Sequence, residues 1–178
     1  ASNARVLTRT TAFGCYDHQL VALSERLGGE NHEPLRERLW HVRAAQVVIA
    51  SGAIERPIVF PENDVPGVML ASAAASYAVQ YAVRPGRRAV LVTSTDSAYE
   101  AAAILRSRGI EIAAIIDSRA KPGESAAAAE HAGFAVFAAH TPVRVHGARA
   151  VKAIDVRQTA DVKGSRSPLR LGCDLVCV

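Results

Sequence analysis

The chain has 178 residues, of which 49% are hydrophobic and only 5% aromatic, and its 21 basic and 17 acidic residues give a net charge of +4. It contains no apolar run of the roughly 18 residues that a membrane helix needs and no basic patch interleaved with aromatic residues, so neither a membrane nor a nucleic acid is expected as a partner. The three cysteines form no C-x-x-C pair, and no signal-peptide pattern is present. These features predict a cytoplasmic protein without a disulfide framework or a metal site.

The first third of the chain predicts an antiparallel meander. Residues 4–17 are rich in β-branched side chains and predict a strand, whereas residues 18–27 fit either a helix or a strand. Two more strands are predicted over residues 38–43 and 46–50, the second of them almost entirely apolar. The meander is therefore expected to lead into a buried strand.

A proline-rich connector separates this region from a βαβ pattern. Residues 54–67 carry three prolines and one glycine, which predicts a crossing between domains. A helix is predicted within residues 68–83, and it is followed by a strand at 89–93, a helix at 97–107 and a strand at 111–116. Strands joined in this way by a helix are typical of a parallel sheet.

The last third changes character after one more helix and strand, predicted at residues 124–133 and 134–140. Apolar and polar residues then alternate between turn residues, which predicts β-hairpins. Residues 174–178 predict a final apolar strand. A domain rarely ends on such a strand, so a piece of a longer protein is expected.

These elements, with an apolar content dominated by Ala, Val, Ile and Leu, predict an α/β fold. We expect a Rossmann-like second nucleotide-binding domain with a βαβ core, plus antiparallel β-meander remnants of a first nucleotide-binding domain. The predicted boundaries are residues 1–55 for the first domain, 56–168 for the second, and 169–178 for a strand that returns to the first.

The βαβ turn departs from the glycine-rich fingerprint of dinucleotide-binding domains. Thr93 and Thr95 stand where the two turn glycines are expected, and Ala98 keeps the third, helix-packing position. A Cβ at Thr95 and the charge of Asp96 oppose a phosphate, although Ser97 is a good helix cap. Thr93, Thr95 and Ser97 are therefore candidates for cofactor binding at an unfavourable turn.

The end of the next predicted strand carries Asp117, where an acid binds the ribose of NAD in working sites. The neighbouring Arg119 could contact a 2′-phosphate instead, and a third interpretation is that Asp117 only ends a strand. A second candidate is the tripeptide Ser51, Gly52 and Ala53 after the apolar strand, because its glycine lets a ligand approach the backbone.

Three stretches carry a resemblance to a known family. The stretch VVIASGAIERPIVFPENDVPGVMLASA before a βαβ unit resembles the two-dinucleotide-binding flavoproteins. More narrowly, RTTAFGCYDHQLVAL, RLWHVRAAQVVIASGAIERPIVFPENDVPGVMLASA and TSTDSAY resemble the α-subunit family of heterotetrameric sarcosine oxidases. Octopine and nopaline oxidase subunits and hydrogen cyanide synthase subunits are more distant relatives.

The resemblance implies a segment of an oxidoreductase subunit that acts, within a hetero-oligomer, in the oxidative demethylation of sarcosine with oxygen. It implies that the α subunit binds NAD without turning it over, and that the flavins belong to the partner subunit. Backbone contacts to the nucleotide are expected from Thr11, Ala12 and Phe13, with Ser51, Gly52 and Ala53 near its other end. No catalytic residue is expected in this segment.

Several alternatives stay open. The segment could be a non-catalytic, degenerate Rossmann module for subunit assembly, or part of an opine oxidase. NADP or FAD could replace NAD, and the segment by itself could bind no cofactor. A stand-alone NAD(P)H reductase is disfavoured because neither C-x-x-C nor the turn glycines occur.

Overall fold

A computed structural model describes residues 3–28 and 36–178 of the chain. The chain divides into two compact units, Ala1–Ala53 and Ile54–Val178. The fold is α/β, with a βαβ core in the second unit and an antiparallel meander in the first.

The first unit is the predicted meander. Its strands β1 (Thr10–Tyr16), β2 (Leu20–Arg26) and β3 (Glu37–Arg43) pair in the order β1-β2-β3, both pairs antiparallel. Most of the ambiguous residues 18–27 thus form a strand, β2, which follows a 3-10 turn at Asp17–Gln19.

The prediction of a strand over residues 46–50 is wrong. These residues form neither strand nor helix, and Val48 and Ile49 are 87% and 80% exposed. A buried strand needs neighbours on both edges, and no strand of the described residues pairs with this one.

The second unit combines strands and helices, and its elements follow in chain order: β4 (Val68–Met69), α1 (Ala71–Gln80), β5 (Arg88–Thr93), α2 (Ser97–Ser107), β6 (Glu111–Asp117), α3 (Glu124–His131), β7 (Val136–Ala138), β8 (His140–His146), β9 (Ala153–Gln158), β10 (Leu169–Gly172) and β11 (Leu175–Cys177). A parallel sheet has the order β4-β11-β5-β6-β7, and a separate antiparallel sheet has the order β10-β9-β8.

The parallel sheet is covered on both faces because its side chains alternate between two apolar clusters. Leu91 and Ile115 pack with the small residues of α1, α2 and α3, whereas Val90 and Ile116 pack with β8 and β9. Many of the helical contact residues are alanines, which let a helix lie close to the strands. The unit is therefore three layers: helices, parallel sheet and antiparallel sheet.

Residues 169–178 differ from the expectation that they return to the first domain. β10 pairs with β9, and β11 is inserted between β4 and β5 within the second unit. Val176 is fully buried, and the Asp174 carboxylate accepts hydrogen bonds from the backbone N–H groups of Arg87 and Arg88 over 2.9 and 2.8 Å. An apolar strand gains most where both of its faces are covered, and this sheet offers such a position.

Within the described ranges, no helix is both long and apolar enough to span a bilayer. Cys173 and Cys177 are buried core residues, and Cys15 is exposed. Burial raises the pKa of both the Cys173 and the Cys177 thiol to about 12, so neither is a reactive thiolate at neutral pH.

Candidate functional site

The βαβ turn lies at the carboxyl ends of β5 and β6, the edge at which open α/β sheets bind ligands. Thr93 ends β5, Thr95 lies in the turn, and Ser97 begins α2. Thr93 pairs in register with Asp117, the last residue of β6. The structure thus brings these four predicted candidates together.

The polar groups of the turn bond to one another. The Thr95 backbone N–H donates to Thr93 Oγ1 over 3.0 Å, and the same hydroxyl donates to the Thr95 carbonyl oxygen over 2.9 Å. The hydroxyls of Thr95 and Ser97 lie 2.9 Å apart and share a hydrogen bond. The Thr95 N–H is therefore not free to bind a phosphate, as the N–H groups of a glycine-rich turn are.

The Asp117 carboxylate is fully buried, and both of its oxygens are taken. Oδ1 accepts from the backbone N–H and the Nε of Arg119 over 2.9 and 3.0 Å. Oδ2 accepts from the Tyr99 hydroxyl and from Arg119 Nη2, both over 2.7 Å. A carboxylate offers about four acceptor positions, so none is left for a ribose hydroxyl.

Burial by itself would raise the pKa of Asp117, but the hydrogen bonds from Arg119 and Tyr99 hold that pKa below its usual range. Burial and the nearby carboxylate raise the pKa of the Tyr99 hydroxyl. At neutral pH the cluster is therefore an ionised carboxylate with a neutral phenol and a guanidinium as donors.

Arg119 extends from this buried carboxylate to the start of α2. Its Nη2 also donates to Asp96 Oδ1 over 2.7 Å, and Asp96 directly precedes α2. The Asp96 side chain is 53% exposed and that of Arg119 is 31% exposed, so their contact closes the outer side of the cluster. The guanidinium lies between the two positions that a ribose and a phosphate need in a working site.

The N-terminus of α1 is also bonded to a carboxylate of the chain itself. The Glu55 carboxylate accepts hydrogen bonds from the backbone N–H and the hydroxyl of Ser72, in the first turn of α1. Negative charge is favourable at a helix N-terminus. The chain thus supplies its own anion at the start of α1.

The remaining candidates lie in the first unit. Thr11, Ala12 and Phe13 are exposed residues of β1, and the register of the β1–β2 pair shifts between Ala12 and Gly14. Ser51–Ala53 are exposed and belong to no strand or helix. Among the described residues no hydrogen bond joins the two groups.

Gly52 nevertheless has two properties that a nucleotide contact needs. Its φ is +76°, a conformation that favours glycine, and a Cβ placed on it would meet no atom within 4 Å. A ligand can therefore approach this backbone closely. The second turn does not fit a dinucleotide in the same way, because its acceptors and donors are already bonded.

The sequence interpretation missed Tyr99, the Asp96–Arg119 ion pair and Glu55. A signal for the ion pair was present, since the two oppositely charged residues follow neighbouring strands whose carboxyl ends meet at one edge. No such signal predicts Glu55, because its partner Ser72 is reached only through the tertiary fold.

Another polar cluster lies on the antiparallel sheet. Asp155 is 4% exposed and accepts from Arg170 Nε over 2.8 Å, while its Oδ2 lies 2.7 Å from His146 Nε2. The bonds from Arg170 and His146 lower the pKa of Asp155 to about 2. In the part of the chain that the structure describes, no group of three His, Cys, Asp or Glu side chains could hold a metal.

The curated proteins that resemble the chain share one name. The chain is 43% identical over 125 residues to the sarcosine oxidase subunit alpha of Rhizobium meliloti, a match that covers 68% of this chain and 13% of the relative. It is 39% identical over 179 aligned residues to the subunit of the same name from Corynebacterium sp. strain P-1, covering 97% of this chain and 18% of the relative. The chain therefore spans less than a fifth of these relatives. No family model matches it.

Solved structures agree on the fold. L-proline dehydrogenase from P. horikoshii matches with a TM-score of 0.52 at 22% identity, over 94% of this chain and 26% of that one. A thioredoxin reductase from Gloeobacter violaceus matches with a TM-score of 0.52 at 20% identity, over 96% of this chain and 48% of that one. The chain thus shares its fold with parts of these two oxidoreductases.

Proposed function

Because the chain belongs to the family of sarcosine oxidase α subunits, we propose that it is the nucleotide-binding part of an oxidase subunit. The whole protein oxidises sarcosine or a related N-alkyl amino acid with oxygen, together with other subunits in the cytoplasm. This segment contributes NAD binding and assembly, and the redox chemistry takes place on flavin in the partner subunit.

The proposal rests on the hydrogen bonds that join the ionisable groups at the carboxyl edge of the parallel sheet. Asp117 and Arg119 bond to each other, and Tyr99 donates to the same carboxylate. A general base or acid needs a proton position open to a substrate. Since these groups have none, they support a structural role for the second turn rather than catalysis, and the nucleotide is assigned to the first unit.

NAD is proposed to contact the exposed backbone of Thr11–Phe13 and of Ser51–Ala53. The open space at Gly52 supports this assignment, because a nucleotide can lie against a backbone that carries no Cβ. Bound there, NAD supplies a structural link and is not turned over. Thr93, Thr95, Ser97 and Asp117 are proposed as structural residues of the second turn.

A role in assembly has support of its own. Tyr77, Tyr81 and Val83 are 45%, 67% and 49% exposed, and the two tyrosine rings lie 5.9 Å apart. Exposed aromatic groups of this kind are enriched at protein interfaces. We propose that other subunits or other parts of the same subunit contact the second unit.

The activity is tested with the complete enzyme, assembled from its subunits and assayed for hydrogen peroxide. Turnover of sarcosine and not of octopine is expected. Turnover of octopine alone would move the protein to the opine oxidases, and no peroxide from either amine would contradict an oxidase of this class.

The nucleotide site is tested by calorimetric titration of NAD into the complete α subunit. Gly52→Ala is expected to weaken NAD binding at least tenfold, because the new side chain is strained at a positive φ and occupies the open space. Gly28→Ala is the matched control in the same unit, since its Cβ also meets no atom within 4 Å and its φ is not positive. Equal affinity of the two variants would reject Gly52 as a contact.

A further inference from the structure

We propose that Arg119 is a built-in occupant of the second βαβ turn, and that its side chain closes this turn to dinucleotides. The inference deepens the proposed function and rests on it in one respect: NAD is assigned there to the first unit. The new element is the residue that closes the second turn and the way in which it does so.

The contacts of Arg119 cover both functions that a nucleotide would need from this turn. On the inner side, its backbone N–H, Nε and Nη2 fill the acceptor positions of Asp117 that a ribose hydroxyl would use. On the outer side, Nη2 reaches Asp96 at the start of α2, where a pyrophosphate would lie.

The planar fork of the guanidinium explains why a single side chain can do this. Arginine presents several N–H donors in a fixed geometry and stays charged. One fork therefore bonds to a buried and to an exposed carboxylate at once, over distances of 2.7 Å in each case. A lysine has one charged nitrogen and would not match both carboxylates with the same geometry.

Displacement by a nucleotide is unfavourable for a reason that follows from burial. Asp117 is 0% exposed and ionised, and it needs the positive charge of Arg119 beside it. A ribose hydroxyl that replaced Arg119 would bring hydrogen bonds without charge. Arg119 is thus held in the turn by the Asp117 carboxylate, the group that would otherwise bind the ribose of a dinucleotide.

Two variants of the complete α subunit that differ only at residue 119 test the proposal. The first carries Thr95→Gly and Asp96→Ala, which remove the Cβ and the charge that oppose a phosphate. The second carries the same two changes and Arg119→Gln. NAD is titrated into each variant and into the unmodified subunit, and the number of nucleotides bound per chain is compared.

The expected result is one additional NAD per chain in the second variant and none in the first. This difference does not depend on the first-unit site: if the proposed function fails, the counts are zero and one, and if it holds they are one and two. An equal gain in both variants, or no gain in a second variant that keeps its circular dichroism spectrum, would overturn the proposal.

If the second variant does not fold, hydrogen exchange of the unmodified subunit tests whether a dinucleotide binds at the second βαβ turn. Millimolar NAD and NADP are added, and the peptides covering residues 93–99 and 117–119 are followed. Unchanged exchange in these peptides is expected for a closed turn. Protection of either peptide by NADP would overturn the proposal and assign Arg119 to a 2′-phosphate.

Discussion

In the second unit, Leu91 and Ile115 are fully buried between the helices and the parallel sheet, whereas Val48 and Ile49 of the first unit are 87% and 80% exposed. Among the described residues of the first unit, Ala22 is the single buried hydrophobic residue. The first unit is held by strand pairing and polar contacts, and the second by a core that covers both faces of its sheet. The comparison teaches that similar apolar stretches can differ widely in what they contribute to stability.

The sharpest test exchanges isoleucine for alanine in each region. Ile115→Ala is expected to lower the free energy of unfolding by about 4 kcal/mol, since it removes buried methyl groups and leaves a cavity. Ile49→Ala, at an exposed position, should change it by less than about 0.5 kcal/mol. Urea unfolding followed by circular dichroism measures both, and similar losses would refute the contrast.

The second prediction compares two arginines of the second unit. Arg119→Met is expected to destabilise it by about 3 kcal/mol, because the substitution leaves the buried Asp117 carboxylate without its charged partner. Arg88→Met breaks the exposed pair with Glu111, 2.9 Å apart, and should cost less than about 1 kcal/mol. Thermal unfolding of the two variants gives the comparison, and a larger loss at Arg88 would contradict it.

A pH series tests the cluster on the antiparallel sheet. Hydrogen bonds from Arg170 and His146 lower the pKa of Asp155 to about 2, below the value of roughly 3.9 in an unfolded chain. The stabilisation, about 2–3 kcal/mol, is complete above about pH 5 and is lost as the pH falls through about 2.

The control for this series is Asp155→Asn, which should be less stable than the unmodified chain at pH 7 and equally stable near pH 2. Asp117 and Asp161, whose pKa values are also lowered, titrate in both proteins, so the difference between them isolates Asp155. A difference that stays constant from pH 7 to pH 2 would reject the assignment.

The smallest effect is expected in the first unit. Trp40 Nε1 donates to Glu25 Oε2 over 2.8 Å, and Arg38 Nη1 lies 3.4 Å from the same oxygen. Glu25→Ala should therefore destabilise the meander by about 1 kcal/mol, and the fluorescence of Trp40, the chain's one tryptophan, reports it. Glu37→Ala, on the neighbouring strand, is the control and should have a smaller effect.

The sequence predicts the elements of the second unit well, because their signals are local. Helix α2 has the predicted bounds, Ser97–Ser107, since an alanine-rich stretch follows the polar turn and ends before Gly109. The expected cap at Ser97 is wrong, because Asp96 holds the N-cap position and the Ser97 hydroxyl bonds to that of Thr95. Asp117 is likewise found at the carboxyl end of β6. The candidate turn could be located from the sequence for the same reason.

What the sequence does not predict depends on partners far away in the chain. The apolar pattern of residues 46–50 is that of a buried strand, but a strand also requires neighbours, which the pattern does not reveal. In the same way, the sequence leaves open whether Arg119 faces a ligand or Asp117, since its direction is settled by burial and by Asp96.

The insertion of β11 between β4 and β5 has a consequence for the order in which the chain assembles. Val176 pairs with Val68 on one side and with Val90 on the other, whereas β5 and β6 are joined by a single helix. During synthesis β5, β6 and β7 can pair early, but one edge of β5 stays open until β11 emerges, and an open edge invites wrong pairing. Pulse-labelled refolding should therefore show the Val176 and Val178 amides, which donate to Gly67 and Met69, protected later than the Ile115 amide of β6.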